Sequence, residues 1–197
     1  MTTEKYTGSA ERWSRDQYAD SATYLRRRAE LIAPGLERGD MILDLACGDG
    51  GLAAFLPGFD YRGVDLNEAM VAAARRNGVQ AELGDLNEYV PPAPVAATTI
   101  FRAIYYARDR AAFFRHLASY TQRKVVFDLN PRQYDVDDVR ADFAAAGFDR
   151  VTLRPFFVPQ TRALPAALAT LLRAAERSGP VARAALRFRF TYLVSAW

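Results

Sequence analysis

The chain has 197 residues, half of them apolar and a quarter charged, which fits one globular domain and is too short for two catalytic domains. A single cysteine, Cys47, and a single histidine, His116, exclude disulfide scaffolds, zinc sites of the Cys/His kind and catalytic sites that need two histidines. The net charge of +3 is unevenly placed, because residues 150–197 hold eight arginines against one acid, Glu176. The rest of the chain is therefore net negative.

Neither a targeting segment nor a membrane span is predicted. The first 30 residues are polar and carry both signs of charge without an apolar stretch of the secretory type, so a cytoplasmic location is expected. After position 160, arginines and Glu176 interrupt the apolar residues. No run of about 18 apolar residues that could cross a bilayer is left there.

Apolar patterning predicts strands that alternate with helices after an N-terminal helical segment, residues 1–38. Such alternation is typical of an α/β fold, a doubly wound and mostly parallel sheet with helices on both faces. The first predicted strand is followed by a glycine turn, residues 47–51. The predicted strands of this part are 41–46, 61–65, 79–83, 98–103 and 124–129. The predicted helices between and after them are 52–56, 68–76, 110–120 and 136–146.

The end of the chain departs from this alternation. Two late strands, 150–158 and 188–197, are joined by a largely helical stretch that is interrupted at Gly179 and Pro180. This order predicts an edge hairpin with an inserted cap. The chain is thus interpreted as a single domain, divided into the N-terminal segment, a cofactor-binding core over 40–158, a helical lid insertion over 159–187 and the final strand 188–197.

The first turn carries the first sign of chemistry. Gly48 and Gly50 follow Asp44 in a strand–turn–helix arrangement, and glycine is needed where a backbone turns tightly against a ligand beside a helix N-terminus. A nucleotide-like cofactor is indicated. Gly48, Gly50 and Ala53 also fit the G-x-G-x-x-A form of the dinucleotide fingerprint, and a tight turn without a ligand is the plain structural alternative.

Two further acids stand at predicted strand ends. Asp65 can accept hydrogen bonds from ribose hydroxyls, and Asp85 from an exocyclic adenine amine. Asp44 would repel a phosphate and suits a cationic amino-acid group better. The three acids together favour a nucleoside cofactor that carries a positive amino-acid moiety over NAD.

At these residues the sequence resembles the class I S-adenosylmethionine-dependent methyltransferases, over about residues 40–197. Residues 42–50 resemble the first motif of the family, with Ala46 in place of its commonest glycine, and Gly84-Asp85-Leu86 resembles the adenine-contacting motif. The resemblance also implies seven strands, the last inserted antiparallel beside the sixth. It implies S-adenosylmethionine as cofactor, with Gly48 and Gly50 along its methionine part, Asp44 near its amino group, Asp65 at the ribose, Asp85 and Leu86 at the adenine, and Ala46, Leu66, Met70 and Phe101 beside them. For Met70, core packing is the alternative.

The acceptor side follows the predicted fourth strand, in residues 101–106. This segment lacks the Asn-Pro-Pro-Tyr signature of many amino-methylating enzymes, which favours a small-molecule acceptor. Arg102 is a candidate to hold an anionic or enolate oxygen, and Tyr105 or Tyr106 to orient a hydroxyl. The structural alternative gives Tyr105 core packing and Arg102 a backbone carbonyl.

No general base or metal site stands out. His116 is predicted to lie on a helix surface facing away from the cofactor. Asp128 and Asn130 resemble magnesium ligands of catechol-type O-methyltransferases, but the lysine base of that pattern is missing, so no metal is expected. Displacement at a sulfonium methyl depends mainly on alignment, which contributes about 7–11 kcal/mol in well-oriented reactions.

The sequence therefore predicts an enzyme that moves a methyl group from S-adenosylmethionine to the O or C of a small, fairly apolar molecule. Aromatic residues of the N-terminal segment, Trp13, Tyr18 and Tyr24, are candidate substrate-binding residues. An RNA or protein methyltransferase and a non-catalytic S-adenosylmethionine-binding module are the alternatives, although no nucleic-acid-binding motif is evident. Arginines among the leucines of 164–187 are compatible with peripheral contact to an anionic membrane.

Overall fold

The computed structural model describes residues 10–130, 135–148, 150–157, 162–177, 179–185 and 191–196. Within these ranges, seven strands form one sheet in the order β3-β2-β1-β4-β5-β7-β6. Strands β1 to β5 pair in parallel, whereas β7 runs antiparallel to both β5 and β6. The strands are β1 Met41–Leu45, β2 Asp60–Asp65, β3 Gln80–Leu83, β4 Val95–Ile100, β5 Thr121–Leu129, β6 Arg150–Pro155 and β7 Thr191–Ala196.

Helices precede the sheet and connect its strands, as the predicted α/β class requires. Three single 3₁₀ turns lie at Ala10–Arg12, Ala53–Phe55 and Ile104–Tyr106. The α-helices of the described residues are α1 Trp13–Asp16, α2 Ser21–Ile32, α3 Glu68–Arg76, α4 Arg110–Ala118, α5 Val136–Ala145, α6 Ala166–Arg177 and α7 Gly179–Ala185.

Two local expectations were wrong. The fourth strand covers Val95–Ile100 and not 98–103, because Arg102 adopts a positive φ of 56° that ends the extended backbone. The helix predicted over 52–56 is a single 3₁₀ turn. Pro57 and Gly58, the latter at φ +89°, stop the chain there and return it to β2.

The core has two layers, one on each face of the sheet. On one face, α2 packs Leu25 and Ile32 against residues of β1 and β2. On the other, α4 and α5 contribute aromatic rings, with Phe114 and Phe143 at a centroid distance of 4.1 Å and both fully buried. The sheet is thus covered on both sides, which is why its central strand β4 is buried along its whole length.

A buried lysine attaches α2 to the sheet. The Lys124 ammonium, on β5, donates hydrogen bonds to the carbonyl oxygens of Ile32 at 2.6 Å, of Leu31 at 3.3 Å and of Pro34. The last carbonyls of a helix have no partner within the helix, and a cation there also complements its dipole. Lys124 therefore holds the C-terminal end of α2 in place.

Replacing Lys124 with methionine is expected to lower the free energy of unfolding by about 1–3 kcal/mol, since buried carbonyls would lose their donor. Chemical denaturation monitored by circular dichroism measures this loss. The matched control is Arg123→Gln, which removes the partly exposed pairs with Glu37 and Asp40 and is expected to cost at most about 1 kcal/mol. Equal losses in the two variants would contradict the capping role of Lys124.

The insertion between β6 and β7 is fixed to the N-terminal segment by a buried ion pair. Glu176, on α6, accepts a hydrogen bond from Arg27 of α2 at 2.9 Å and one from the Phe157 amide at 3.0 Å. Both ionic side chains are buried. Leu168 and Leu171, in contrast, are exposed on α6. In the described ranges no helix has the length and hydropathy needed to cross a membrane.

Candidate cofactor and acceptor site

A cavity of about 910 Å³ opens at the carboxyl ends of the parallel strands, where strand order reverses between β1 and β4 and where ligands of open α/β sheets bind. Its volume lies near the top of the usual range for small-molecule sites, about 300–1,000 Å³. Most of the residues predicted from the sequence meet there. They are Trp13, Tyr18, Asp44, Ala46, Gly48, Asp65, Leu66, Met70, Asp85, Leu86, Phe101, Arg102, Tyr105 and Tyr106.

Two predicted site residues and the predicted lid do not line this cavity. Gly50, at φ +71°, faces the core, where a Cβ would lie 2.7 Å from Val79 Cγ2. Tyr24 lies behind Tyr18, with stacked ring centroids 4.0 Å apart. The described part of the insertion, 162–177 and 179–185, contributes no lining residue, because α6 and α7 pack on β6. The N-terminal helices cover the cavity instead.

Asp44 is a deeply buried acid of the cavity. Its carboxylate accepts hydrogen bonds from Thr99 Oγ1 at 2.6 Å and from the Tyr61 hydroxyl, and the residue is only 4% exposed. Burial raises the pKa of Asp44 to about 6, against the opposing effect of these hydrogen bonds and of the Arg28 charge. A buried carboxylate of this kind gains most from a cationic partner.

Asp65 organises the loop after β1 from the neighbouring strand. Its two oxygens accept the backbone N–H groups of Gly48 and Asn67, each at 2.9 Å. Burial raises the pKa of Asp65, and the backbone hydrogen bonds offset part of that rise. Ala46 in the same loop has φ 62°, a conformation that favours glycine and explains why glycine suits this position.

Asp85 is engaged by an arginine that the sequence analysis did not single out. Its carboxylate accepts hydrogen bonds from the Asn87 amide at 2.9 Å and from Arg108, which also binds Glu88 at 2.6 Å. Burial acts to raise the pKa of Asp85, but the Asn87 hydrogen bonds and the Arg108 charge outweigh it and lower the pKa. Arg108 and Asp85 both line the cavity, so a ligand that reaches Asp85 also meets Arg108.

Asp49 attaches the N-terminal segment to the glycine loop. This buried acid accepts hydrogen bonds from the amide and the hydroxyl of Ser14, at 2.9 and 2.8 Å. Beside it, a Cβ on Gly48 would lie 3.0 Å from the Trp13 ring. Trp13 thus closes over the loop because Asp49 holds the helix that carries it. Ser14 is 35 residues away from Asp49 in sequence, and no local pattern indicated this contact.

Replacing Ser14 with alanine is expected to loosen this attachment. Losing one hydrogen bond of about 1 kcal/mol should speed amide hydrogen exchange in residues 10–16 about fivefold. Hydrogen exchange measured by mass spectrometry tests this, with Ser119→Ala as control, since the Ser119 hydroxyl binds the His116 carbonyl on an exposed part of α4. Unchanged exchange in residues 10–16 would show that Ser14 does not hold the segment.

A basic group lies on the β4–β5 side of the same cavity. Arg28 of α2 is buried, pairs with Asp128 at 3.2 Å and has its guanidinium 4.3 Å from the Phe101 ring centroid. The Arg102 amide donates to the other oxygen of Asp128 at 2.6 Å. Arg28 was missed in the sequence because it resembles the other arginines of an amphipathic helix. Asp128, noted in the sequence for its likeness to a magnesium ligand, contacts Arg28 and the Arg102 amide.

His116 lies apart from the cavity, in keeping with its predicted position facing away from the cofactor, and it is half-buried, not fully exposed. Its Nε2 lies 2.9 Å from the Tyr89 carbonyl oxygen, and its ring packs edge-on against Tyr120 with centroids 5.3 Å apart. The residue is therefore partly buried and structural. Across the part of the chain that the structure describes, no group of three or more His, Cys, Asp or Glu side chains is arranged to hold a metal ion.

The doubly wound sheet has a glycine loop after β1 and acids at the carboxyl ends of β1 and β2 and just after β3. This is the arrangement that the resemblance to the class I S-adenosylmethionine-dependent methyltransferases implied. Comparison with known proteins agrees. Residues 42–124 match the family described as methyltransferase domain, and this segment contains the glycine loop and all three acids. Residues 42–124 are thus similar to a methyltransferase domain, and one solved structure of the same fold holds bound S-adenosylmethionine.

A curated relative matches part of the chain. Over 85 residues the chain is 39% identical to trans-aconitate 2-methyltransferase of Mycobacterium tuberculosis, and this match covers 40% of the chain and 33% of that protein. The chain thus matches about a third of the length of its curated relatives.

Two structures resemble the whole chain at lower identity. One is from the complex between the Haloferax volcanii Trm112 methyltransferase activator and a methyltransferase, with a TM-score of 0.71 and 17% identity, covering 100% of this chain and 97% of that one. The other is magnesium protoporphyrin IX methyltransferase from Synechocystis PCC 6803 with bound S-adenosylmethionine, with a TM-score of 0.65, 18% identity and coverage of 100% and 97%.

Proposed function

We propose that the protein binds S-adenosylmethionine and transfers its methyl group to an oxygen or carbon of a small molecule. The observation that carries this proposal is the shared cavity, in which Asp44, Asp65 and Asp85, at the carboxyl ends of β1, β2 and β3, meet the segment after β4. The methyl donor can thus lie against the acids while the acceptor, a second molecule, lies against Arg102, Tyr105 and Tyr106.

The donor side suits the cofactor in charge and shape. We assign the amino group of the methionine part to Asp44, the ribose to Asp65 and the adenine to Asp85 and Leu86. Gly48 lets the Trp13 ring lie directly against the loop, since a Cβ there would be 3.0 Å from the indole. Bound in this way, S-adenosylmethionine supplies an activated methyl group.

A small acceptor is supported by the walls of the cavity and by one relative. The acceptor side is bounded by Tyr18, Phe101 and Tyr106 and is covered by the N-terminal helices, which leaves space for a compact molecule with an apolar part. The relative from Mycobacterium tuberculosis is named for trans-aconitate, a small unsaturated acid. An extended RNA or protein acceptor would need a wider groove.

The chain's own residues act by orientation. Arg102 would hold an acceptor oxygen, Tyr105 and Tyr106 would orient it, and Trp13 and Tyr18 would exclude water from the reacting atoms. Since alignment alone can contribute about 7–11 kcal/mol, no general base is required for an acceptor that is already nucleophilic. The position of His116, away from the cavity, agrees with this mechanism.

Isothermal titration of the full chain with S-adenosylmethionine and with S-adenosylhomocysteine tests the proposal. Micromolar binding of both is expected. Transfer of a labelled methyl group from S-adenosylmethionine to a small acid such as trans-aconitate should follow. Failure to bind either compound below millimolar concentration would refute the proposal, and binding without transfer to any small molecule would identify a non-catalytic S-adenosylmethionine-binding module instead.

A further inference from the structure

The cavity is divided by charge along the order of the strands. Over β3, β2 and β1 the lining acids are Asp85, Asp65, Asp44 and Asp49. Arg108, which lines the cavity at this end, is paired with Asp85 and Glu88. Over β4 and β5 the ionic lining residues are Arg28 and Arg102. The acidic half suits the cationic cofactor, so the basic half lies where the second ligand would be.

Asp128 fixes both arginines without lining the cavity. One of its oxygens pairs with Arg28 Nη2 at 3.2 Å and the other accepts the Arg102 amide at 2.6 Å. The second bond holds Arg102 at φ 56°, a conformation that costs a non-glycine residue free energy. A strained backbone held by a buried acid directs the Arg102 side chain into the cavity.

The two arginines differ in their partners. The buried Arg28 side chain pairs with Asp128, whereas Arg102 contacts Asp128 through its backbone amide. Among the described residues no carboxylate lies within salt-bridge distance of the Arg102 guanidinium, whose Nη1 contacts the neutral Gln17 Oε1 at 3.5 Å. A cation in a partly closed cavity binds an anion more strongly than one in water.

We propose that the acceptor is a small carboxylic acid with an apolar body, bound as its anion by Arg28 and Arg102 and methylated on the carboxylate. Asp128 is a positioning residue for both arginines. The proposal rests on the proposed function and adds the substrate class. Arginine is the side chain best suited to a carboxylate, since its planar donors match two oxygens, and Phe101 and Tyr18 supply the apolar surface.

This acceptor class also accounts for a site without a general base. A carboxylate is ionised at neutral pH, because the pKa of a carboxylic acid is about 4. One of its oxygens forms the new O–C bond to the methyl carbon, the S–C bond of S-adenosylmethionine breaks, and that electron pair remains on sulfur. The products are a neutral methyl ester and S-adenosylhomocysteine, and no proton is transferred.

Binding of defined acids to the full chain tests the proposal directly. With S-adenosylhomocysteine bound, we expect trans-cinnamate or trans-aconitate to bind in isothermal titration at pH 7.5. The neutral trans-cinnamamide should bind at least about tenfold more weakly than trans-cinnamate, because it offers no charge to the arginines. Acid binding should not change between pH 7 and 8.5.

Variants then assign the binding to the two arginines. Arg102→Gln should weaken binding of the acid at least about tenfold and leave the affinity for S-adenosylhomocysteine unchanged. Arg28→Lys keeps the charge opposite Asp128 and should still lose most of the acid affinity, because an ammonium group lacks the planar pair of donors. The control is Arg62→Gln on β2, whose side chain pairs with Asp60 and does not line the cavity.

The outcomes separate this proposal from the function on which it rests. If the wild-type chain does not bind S-adenosylhomocysteine, the proposed function is overturned and this inference with it. If S-adenosylhomocysteine binds normally but neither acid binds, only the carboxylate acceptor is overturned. The same holds if trans-cinnamamide binds as tightly as trans-cinnamate. Unchanged acid binding in Arg102→Gln and Arg28→Lys would overturn the assignment of the arginines.

Discussion

Replacing Asp44 with asparagine is expected to weaken binding of S-adenosylmethionine about ten- to a hundredfold. A hydrogen bond to a charged group contributes about 1.5–3 kcal/mol, and each 1.4 kcal/mol is about tenfold in affinity. Isothermal titration at pH 7.5 measures the change. The control is Asp60→Asn, which changes an acid of β2 that pairs with Arg62 outside the cavity. An unchanged affinity in Asp44→Asn would remove Asp44 from the cofactor site.

The same residue predicts a pH dependence with a defined sign. Burial raises the pKa of Asp44 to about 6, so the carboxyl is neutral below that pH and negative above it. A positive amino group is attracted only by the ionised form. The affinity for S-adenosylmethionine should therefore increase as pH rises through about 6, and this step should be absent in Asp44→Asn. For folding without a ligand the sign is opposite, since a raised pKa lowers stability as pH rises from about 4 to 6.

Gly50→Ala is expected to lower the free energy of unfolding by about 2–5 kcal/mol, although this glycine touches no ligand. At φ +71° an alanine costs about 1–2 kcal/mol. Its Cβ would also lie 2.7 Å from Val79 Cγ2 and 3.3 Å from Ala74 Cβ, and overpacking adds about 1–3 kcal/mol. Thermal unfolding should show a fall of about 2–4 °C for each kcal/mol.

A second glycine separates strain from overpacking. Gly78 ends α3 at φ +82°, and a Cβ there would meet no atom within 4 Å. Gly78→Ala should therefore lose only about 1–2 kcal/mol, the cost of the backbone conformation. If both variants lost the same stability, the contact of Gly50 with Val79 and Ala74 would not contribute. Equal stability of Gly50→Ala and the wild type would contradict the whole explanation.

The sequence predicted the parts of the site that depend on local structure. Alternating strands and helices follow from the period of the apolar residues, and acids at strand ends meet at one edge because parallel strands present their carboxyl ends together. Asp44, Asp65 and Asp85 could therefore be placed in one site without coordinates. The end of the fourth strand was mispredicted. Arg102 leaves the extended conformation where its amide binds Asp128, 26 residues away, and local sequence does not reveal such a contact.

Site residues whose partners lie far away in the sequence could not be identified from the sequence alone. Arg28 meets Asp128 across 100 residues, and Ser14 meets Asp49 across 35. No local signal distinguishes these polar residues from others on helix surfaces. Gly50 was predicted to line the cofactor because a glycine in a turn can allow either a close ligand or a close contact with the core. Only the packing of the folded chain distinguishes these two roles.

The division between the two kinds of information has a physical basis. One histidine and one cysteine, both evident from the sequence, already excluded zinc sites of the Cys/His kind and catalytic sites that need two histidines. The uneven charge showed that the part of the chain before residue 150, which contains Asp44, Asp65 and Asp85, is net negative. Tertiary structure decided which charges face the cavity. It brought the Arg28 side chain and the Arg102 amide, from distant segments, to the buried Asp128 carboxylate, because a buried charge is costly unless it is paired and hydrogen-bonded.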